Sequence, residues 1–244
     1  MRARHLTILA AIFVSLALQA QSSDVTKEKP EPFYTRDEAP HLEKVLPPPP
    51  ELTSARFSDD WNQYLWGKSM RDTDRGILAV RDAGISATYF MKRYSEAVGR
   101  ELTPEKYPEL WRLLYRAHRT EQEAGYSAKK YFARKRPYQQ FRELSGKPEH
   151  ESATDFTSYP SGHTHAAWLT GLILTSIDPE HTEDIMKVAY EIGQSRVILG
   201  FHYQSDVDAG RVAGSITFAR IQSCQDYQKL LAKAIKEYHK NTEK

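Results

Sequence analysis

The apolar run Ala166-Ala167-Trp168-Leu169-Thr170-Gly171-Leu172-Ile173-Leu174 constrains this chain more than any other stretch. It is long enough to form a buried helix, and the rest of the chain has to be arranged around it. Immediately before it stands Thr157-Ser158-Tyr159-Pro160-Ser161-Gly162-His163-Thr164-His165. The proline ends an extended approach, so Ser161, Gly162 and His163 fall at the helix N-terminus. Unpaired backbone N–H groups and the positive end of the dipole favour an anion there. Gly162 lets the backbone come close to a ligand, Ser161 offers a hydroxyl, and His163 can carry a proton near neutral pH.

The 244 residues suffice for one domain with a sizeable core. Residues 1–20 resemble a cleaved export signal: Arg2 and Arg4 are followed by an apolar stretch from Leu6 to Leu18 and a small residue, Ala20. Export of this kind points to an oxidising compartment. No other stretch is long enough to cross a bilayer. Removing residues 1–20 takes away two arginines and no acid, which brings the formal charge from +2 to zero. A near-neutral chain argues against a general surface for nucleic-acid polymers. Cys224 is the only cysteine, which excludes an intrachain disulfide and reads as a buried thiol. No CxxC, HExxH or EF-hand pattern asks for a metal.

Residues 21–53 are polar and proline-rich, with Pro47 to Pro50 consecutive, and read as an extended arm, free or laid over the domain. From 54 to 244 helix signals dominate. Ser54 or Ser58 caps a first helix through Phe57, Trp61 and Tyr64. Further helices run through Ile77 and Val80, and through Tyr89, Phe90 and Tyr94. Thr103-Pro104-Glu105 is a start signal for a helix through Leu110, Leu113, Leu114 and Ala117 that breaks at Arg136-Pro137. A polar loop is expected from Tyr138 to Thr157. Asp178-Pro179-Glu180 repeats the start signal before Ile185, Val188, Ala189, Ile192 and Arg196. A last core helix is expected from about Ser205 to Ile221, with Gly210 and Gly214 for close packing, and an amphipathic helix from Asp226. Strand signals are scarce, so the expected fold is all-α, with roughly eight to ten helices.

The unusual residues gather in four segments: Lys129 and Arg136; Ser161, Gly162 and His163; Arg196; and His202 with Asp206. Arg196 continues an apolar stripe, where a charge has to be paired or bound to an anion. His202 and Asp206 share a face if one helix includes both. As one site they suit a tetrahedral oxyanion, because arginine forks match paired oxygens and lysine adds a point charge. His202 is then a candidate nucleophile with Asp206 accepting the proton of one ring nitrogen, and His163 a proton donor to the leaving oxygen. Lys129, Arg136 and Arg196 supply the charge a metal supplies elsewhere, so no cofactor is expected. Each residue has a plainer reading alone. Lys129 stands near Lys130, Arg134 and Lys135 and can be one of several solvated charges; His118 and His165 read as structural. The combination decides.

Lys129-x6-Arg136-Pro137, Pro160-Ser161-Gly162-His163 and Ser195-Arg196-x5-His202-x3-Asp206, separated by 22 and 31 residues, resemble the three-part signature of the phosphatidic acid phosphatase type 2 superfamily. The leader, the Leu46-Pro47-Pro48-Pro49-Pro50 segment, the stretch from Arg75 to Ala83 and the residues around Pro160 further resemble class A bacterial non-specific acid phosphatases. The resemblance implies a periplasmic enzyme with a vanadium-haloperoxidase-like helical core and metal-independent hydrolysis of many small phosphate esters, nucleotides and sugar phosphates included, with a possible phosphotransferase side activity. It also implies a phosphohistidine on His202, His163 as general acid, Lys129, Arg136, Ser161, Gly162 and Arg196 as phosphate ligands, and a homo-oligomer. Membrane lipid phosphatases share the signature but need several spans. A vanadate-dependent haloperoxidase and a non-catalytic phosphate-binding protein are the alternatives.

Overall fold

The helices begin where the sequence supplies caps. Ser54, Thr73 and Ser86 each turn a side-chain oxygen back onto a backbone N–H three residues on, opening α1 (Ala55–Ser69), α2 (Asp74–Arg81) and α3 (Ala87–Tyr94). The structure, a computed structural model, describes residues 29–241; the leader and residues 21–28 lie outside them. The other α-helices are α4 (Pro108–Phe132), α5 (Pro137–Phe141), α6 (Gly162–Ile177), α7 (Thr182–Ile198), α8 (Gln204–Ile221) and α9 (Gln225–Lys240). Among the described residues there is no strand, and no helix is long and apolar enough to cross a membrane.

The longest helix, α4, starts four residues later than Thr103-Pro104 suggests. Thr103 closes only a turn, taking the Tyr107 N–H on its carbonyl at 2.9 Å. A second proline, Pro108, keeps Tyr107 out of the helical region, and the helix restarts there. Its exposed N–H groups are capped from a distance: Glu237 on α9 accepts from Glu109 and Leu110, both at 3.0 Å. Asp178-Pro179 likewise makes a short 3-10 turn, Pro179–His181, before α7 begins at Thr182. The segment expected as a loop from Tyr138 contains α5 and a 3-10 turn at Pro148–His150. Cys224 is half-buried and free rather than buried.

At the centre lies α6, packed chiefly against α8 and α7 and next against α4. Gly210 and Gly214 let α8 approach it. A Cβ at Gly210 would lie 2.8 Å from the Ser161 carbonyl oxygen, and one at Gly214 3.1 Å from that of His165. The proline-rich arm is laid over the domain. The Phe33 N–H donates to Thr120 at 2.8 Å, Arg36 to Glu123 at 3.0 Å, and Ser127 to Glu43 at 2.6 Å. Tyr159, one residue before the central turn, donates its hydroxyl to the Pro47 carbonyl. Tyr34, Leu42 and Leu46 of the arm are buried in the main core.

His165 shows what burial does to a titratable group. It is 1% exposed, with Nε2 2.8 Å from Thr217 Oγ1 and Nδ1 3.4 Å from Glu121. Desolvation takes its pKa from 6.5 down to about 4, so the fold holds it neutral. An unfolded chain takes up that proton below about 6.5, so stability is lost as pH falls toward 4. In phosphate-free buffer this one residue should cost about 3 kcal/mol across that range, measured by urea unfolding. His165→Gln should flatten the slope; an unchanged slope would show that the proton is taken up elsewhere.

Candidate active site

Four segments meet at the N-terminus of α6. Ser161 is its cap residue and is fully buried, its Oγ accepting from the Thr164 hydroxyl at 2.9 Å. Gly162 opens the helix, and a Cβ there would stand 3.8 Å from the Lys129 ammonium nitrogen. Lys129 reaches in from the last turn of α4 and donates to the carbonyls of Thr157 at 2.9 Å and Pro160 at 2.7 Å. It is therefore part of the site and not one of the solvated charges around it. Burial, and then the neighbouring Arg136, lowers its pKa to about 8.

Arg136 stands just before α5. Its Nη1 donates to the Phe201 carbonyl and to His202 Nε2, both at 3.1 Å, and its Nη2 to Thr157 at 3.2 Å. Asp155 pairs with its other edge at 2.8 Å. Burial would raise the Asp155 carboxyl, but its Thr157 hydrogen bonds and the Arg136 charge bring it below its ordinary value. Arg196, in the last turn of α7, is 5% exposed and lies 4.8 Å over the Phe201 ring. Its buried Nε has no hydrogen-bond partner among the described residues. Burial and Arg136 bring its pKa to about 9. Three crowded cations, one with an orphaned donor, make a strong anion site.

Two histidines flank it. His202 is 2% exposed and its Nδ1 lies 2.8 Å from the Ser158 carbonyl. A carbonyl only accepts, so Nδ1 carries the proton and Nε2 presents its lone pair toward Arg136. Asp206 does not take that proton. α8 starts at Gln204, leaving His202 outside it, and the Asp206 carboxylate is 3.5 Å from Nδ1. His163 places Nε2 3.1 Å from the Ala83 carbonyl, leaving Nδ1 as its open nitrogen. Burial lowers both histidines well below 6.5, aided at His163 chiefly by Arg196 and at His202 by Arg136.

Asp206 instead anchors a buried frame. It accepts from Arg134, from the Ser158 hydroxyl at 2.6 Å and from the Tyr203 N–H at 2.9 Å. Arg134 bridges Asp206 to Asp60 on α1, 2.8 Å away. Burial raises the Asp206 carboxyl, against the pull of Arg134. A second frame backs Arg196. Asp82, fully buried, accepts from Tyr89 at 2.7 Å, Arg93 at 2.9 Å and Ser195 at 2.6 Å. Sequence reasoning missed Arg134, Asp60 and Asp82. Asp60 carried the signal that betrayed Arg196: it lies three residues after Phe57 and four before Tyr64, on the apolar stripe of α1.

Residues 122–229, which hold all eight candidate positions, match the PAP2 superfamily. A transmembrane PAP2-type phosphatidylglycerolphosphate phosphatase of Bacillus subtilis superposes with a TM-score of 0.50 over 74% of this chain and 89% of its own, at 18% identity, which speaks for the fold alone. The chain belongs to the PAP2 superfamily, among its non-specific acid phosphatases. It is 38% identical to the non-specific acid phosphatase of Providencia stuartii over 95% of both chains. It is 36% identical to that of Salmonella typhi over 97% of this chain and 93% of the relative. With an acid phosphatase of Zymomonas mobilis it shares 30% over 96% of this chain. The protein is an acid phosphatase acting on small phosphate esters.

The frame has a measurable weight. Arg134→Met should leave Asp60 and Asp206 buried without their shared counter-charge and destabilise the fold by about 3–5 kcal/mol. Urea unfolding at neutral pH checks this; a loss near zero would show that the arginine is not holding the two carboxylates.

Proposed function

We propose that phosphate esters are cleaved through a phosphohistidine on His202, with His163 as general acid and no metal. The observation that carries this reading is the His202 ring. Its Nδ1 is engaged by the Ser158 carbonyl and its Nε2 faces the arginine cluster. A phosphoryl group held by Lys129, Arg136, Arg196, the Ser161 hydroxyl and the Gly162 N–H puts phosphorus in front of that lone pair. Nε2 attacks, the bond to the ester oxygen breaks, and the leaving oxygen takes the proton from His163 Nδ1. Water then attacks phosphorus and gives its proton to His163, the N–P bond breaks, and phosphate departs. Lys129, Arg136 and Arg196 stabilise charge on the equatorial oxygens in both steps. Asp206 positions Ser158 and the start of α8 behind His202.

The depressed histidine pKa values suit work in acid. His202 stays neutral, and therefore nucleophilic, at pH values where an ordinary histidine is protonated. His163 has to be protonated, and that fraction falls as pH rises through its lowered pKa. The kcat/KM profile should therefore decline on the way to pH 6.5. A bound phosphate dianion offsets the repulsion from Arg196 and raises His163, so the kcat profile should extend to higher pH than that of kcat/KM. Above pH 8 Lys129 loses its charge and KM should rise. Rates that climb steadily into alkali would remove His163 from this role.

Phosphate release from p-nitrophenyl phosphate at acid pH in excess EDTA tests the mechanism. Turnover should survive the chelator and drop by roughly three orders of magnitude or more in His202→Ala. Activity that needs a metal, or persists in the mutant, would overturn it. The leader at 1–20 supports export to the periplasm, and the resemblance supports broad ester specificity and self-association.

A further inference from the structure

Beside the phosphate site the surface opens into a cleft of about 480 Å³ whose walls are mostly apolar. Lys129, Thr157 and Gly162 line it together with Ile85 and Tyr126. Tyr126 is on the face of α4 that carries Lys129 three residues later. It is 43% exposed and Ile85 37%, so both can still lose water to a ligand. A second cleft of about 600 Å³ opens on the other side of Tyr126, between α4 and the arm. The Arg36 guanidinium lies 3.6 Å from the Tyr126 ring centroid, and Glu123 holds that arginine at 3.0 Å. The ring is thus clamped from the arm side.

We propose that this cleft is the leaving-group subsite, and that Tyr126 and Ile85, with Arg36 bracing the ring, select flat, uncharged aromatic leaving groups over small polyols. The inference rests on the phosphate position proposed above. A phosphoryl group among Lys129, Gly162 and Arg196 has its ester oxygen near His163, and Lys129 and Gly162 continue directly into the cleft. A flat ring there covers carbon surface on Tyr126 and Ile85. A polyol covers little of it. Because the ring is held before substrate arrives, little ordering is needed on binding.

The test compares kcat/KM for 2-naphthyl phosphate and glycerol phosphate in wild type, Tyr126→Ala, Tyr126→Phe and Arg36→Ala, with inorganic phosphate as competitive inhibitor. In Tyr126→Ala the naphthyl ester should lose about three- to ten-fold, the worth of one aromatic contact. Glycerol phosphate turnover and phosphate inhibition should stay within about two-fold, which shows an intact fold and phosphate site. Tyr126→Phe should retain wild-type selectivity, since the ring and not its hydroxyl is used. Arg36→Ala should move the ratio in the same direction by less. Equal losses on both esters, or an unchanged ratio in Tyr126→Ala, would overturn the subsite. The ratio is indifferent to which histidine takes the phosphoryl group, so a failed histidine mechanism appears in His202→Ala and a failed subsite here.

Discussion

Three cations share a nearly dry pocket, and the fold is arranged to keep them there. Lys129, Arg136 and Arg196 repel one another and each has given up water. The cost is visible in the lysine at about 8 and the last arginine at about 9. Among the described residues only one carboxylate, Asp155, touches any of the three directly, and it sits on the outer edge of Arg136. The inner edges are left to carbonyl oxygens and to whatever anion arrives. Such a site is unfavourable alone and is relieved by an anion placed in it, which is the electrostatic logic of the phosphate binding proposed above.

The counterweight is one layer back. Asp60, Asp82 and Asp206 are all buried, and each is engaged by several donors. Arg134 ties two of them together, so α1 and the start of α8 are fixed by the same guanidinium. Ser158 works on both sides of the boundary: its hydroxyl donates to Asp206 while its carbonyl accepts from His202. The orientation of His202 therefore depends on backbone held by the Asp206 frame, not on a direct carboxylate–imidazole bond.

What could be seen in the sequence was what local chemistry decides. Ser161 and Gly162 at a helix start follow from the proline before them and the apolar run after them. Arg196 was visible because a charge on an apolar stripe needs a reason. Arg134 was not, because it stands among lysines and looks like surface; its partners Asp60 and Asp206 lie 74 and 72 residues away. The spacing of His202 and Asp206 suggested one helix face, but the histidine falls before the cap position and bonds to a carbonyl that carries no side-chain signal. Thr103-Pro104 has the form of a helix start, yet a second proline four residues later overrides it. Each shortfall is a tertiary contact or a competing local rule of equal strength.

The way the arm is fastened has a consequence for the order of assembly. Its contacts to α4 and to Tyr159 join residues 84 to 112 positions apart. Closing such loops is slow relative to forming helices, and it cannot begin before the distant partner exists. The segment translated early is therefore among the last to find its place. Tyr159 leads straight into the Ser161 turn and Tyr126 leans on Arg36, so full activity during refolding should lag behind recovery of helix content.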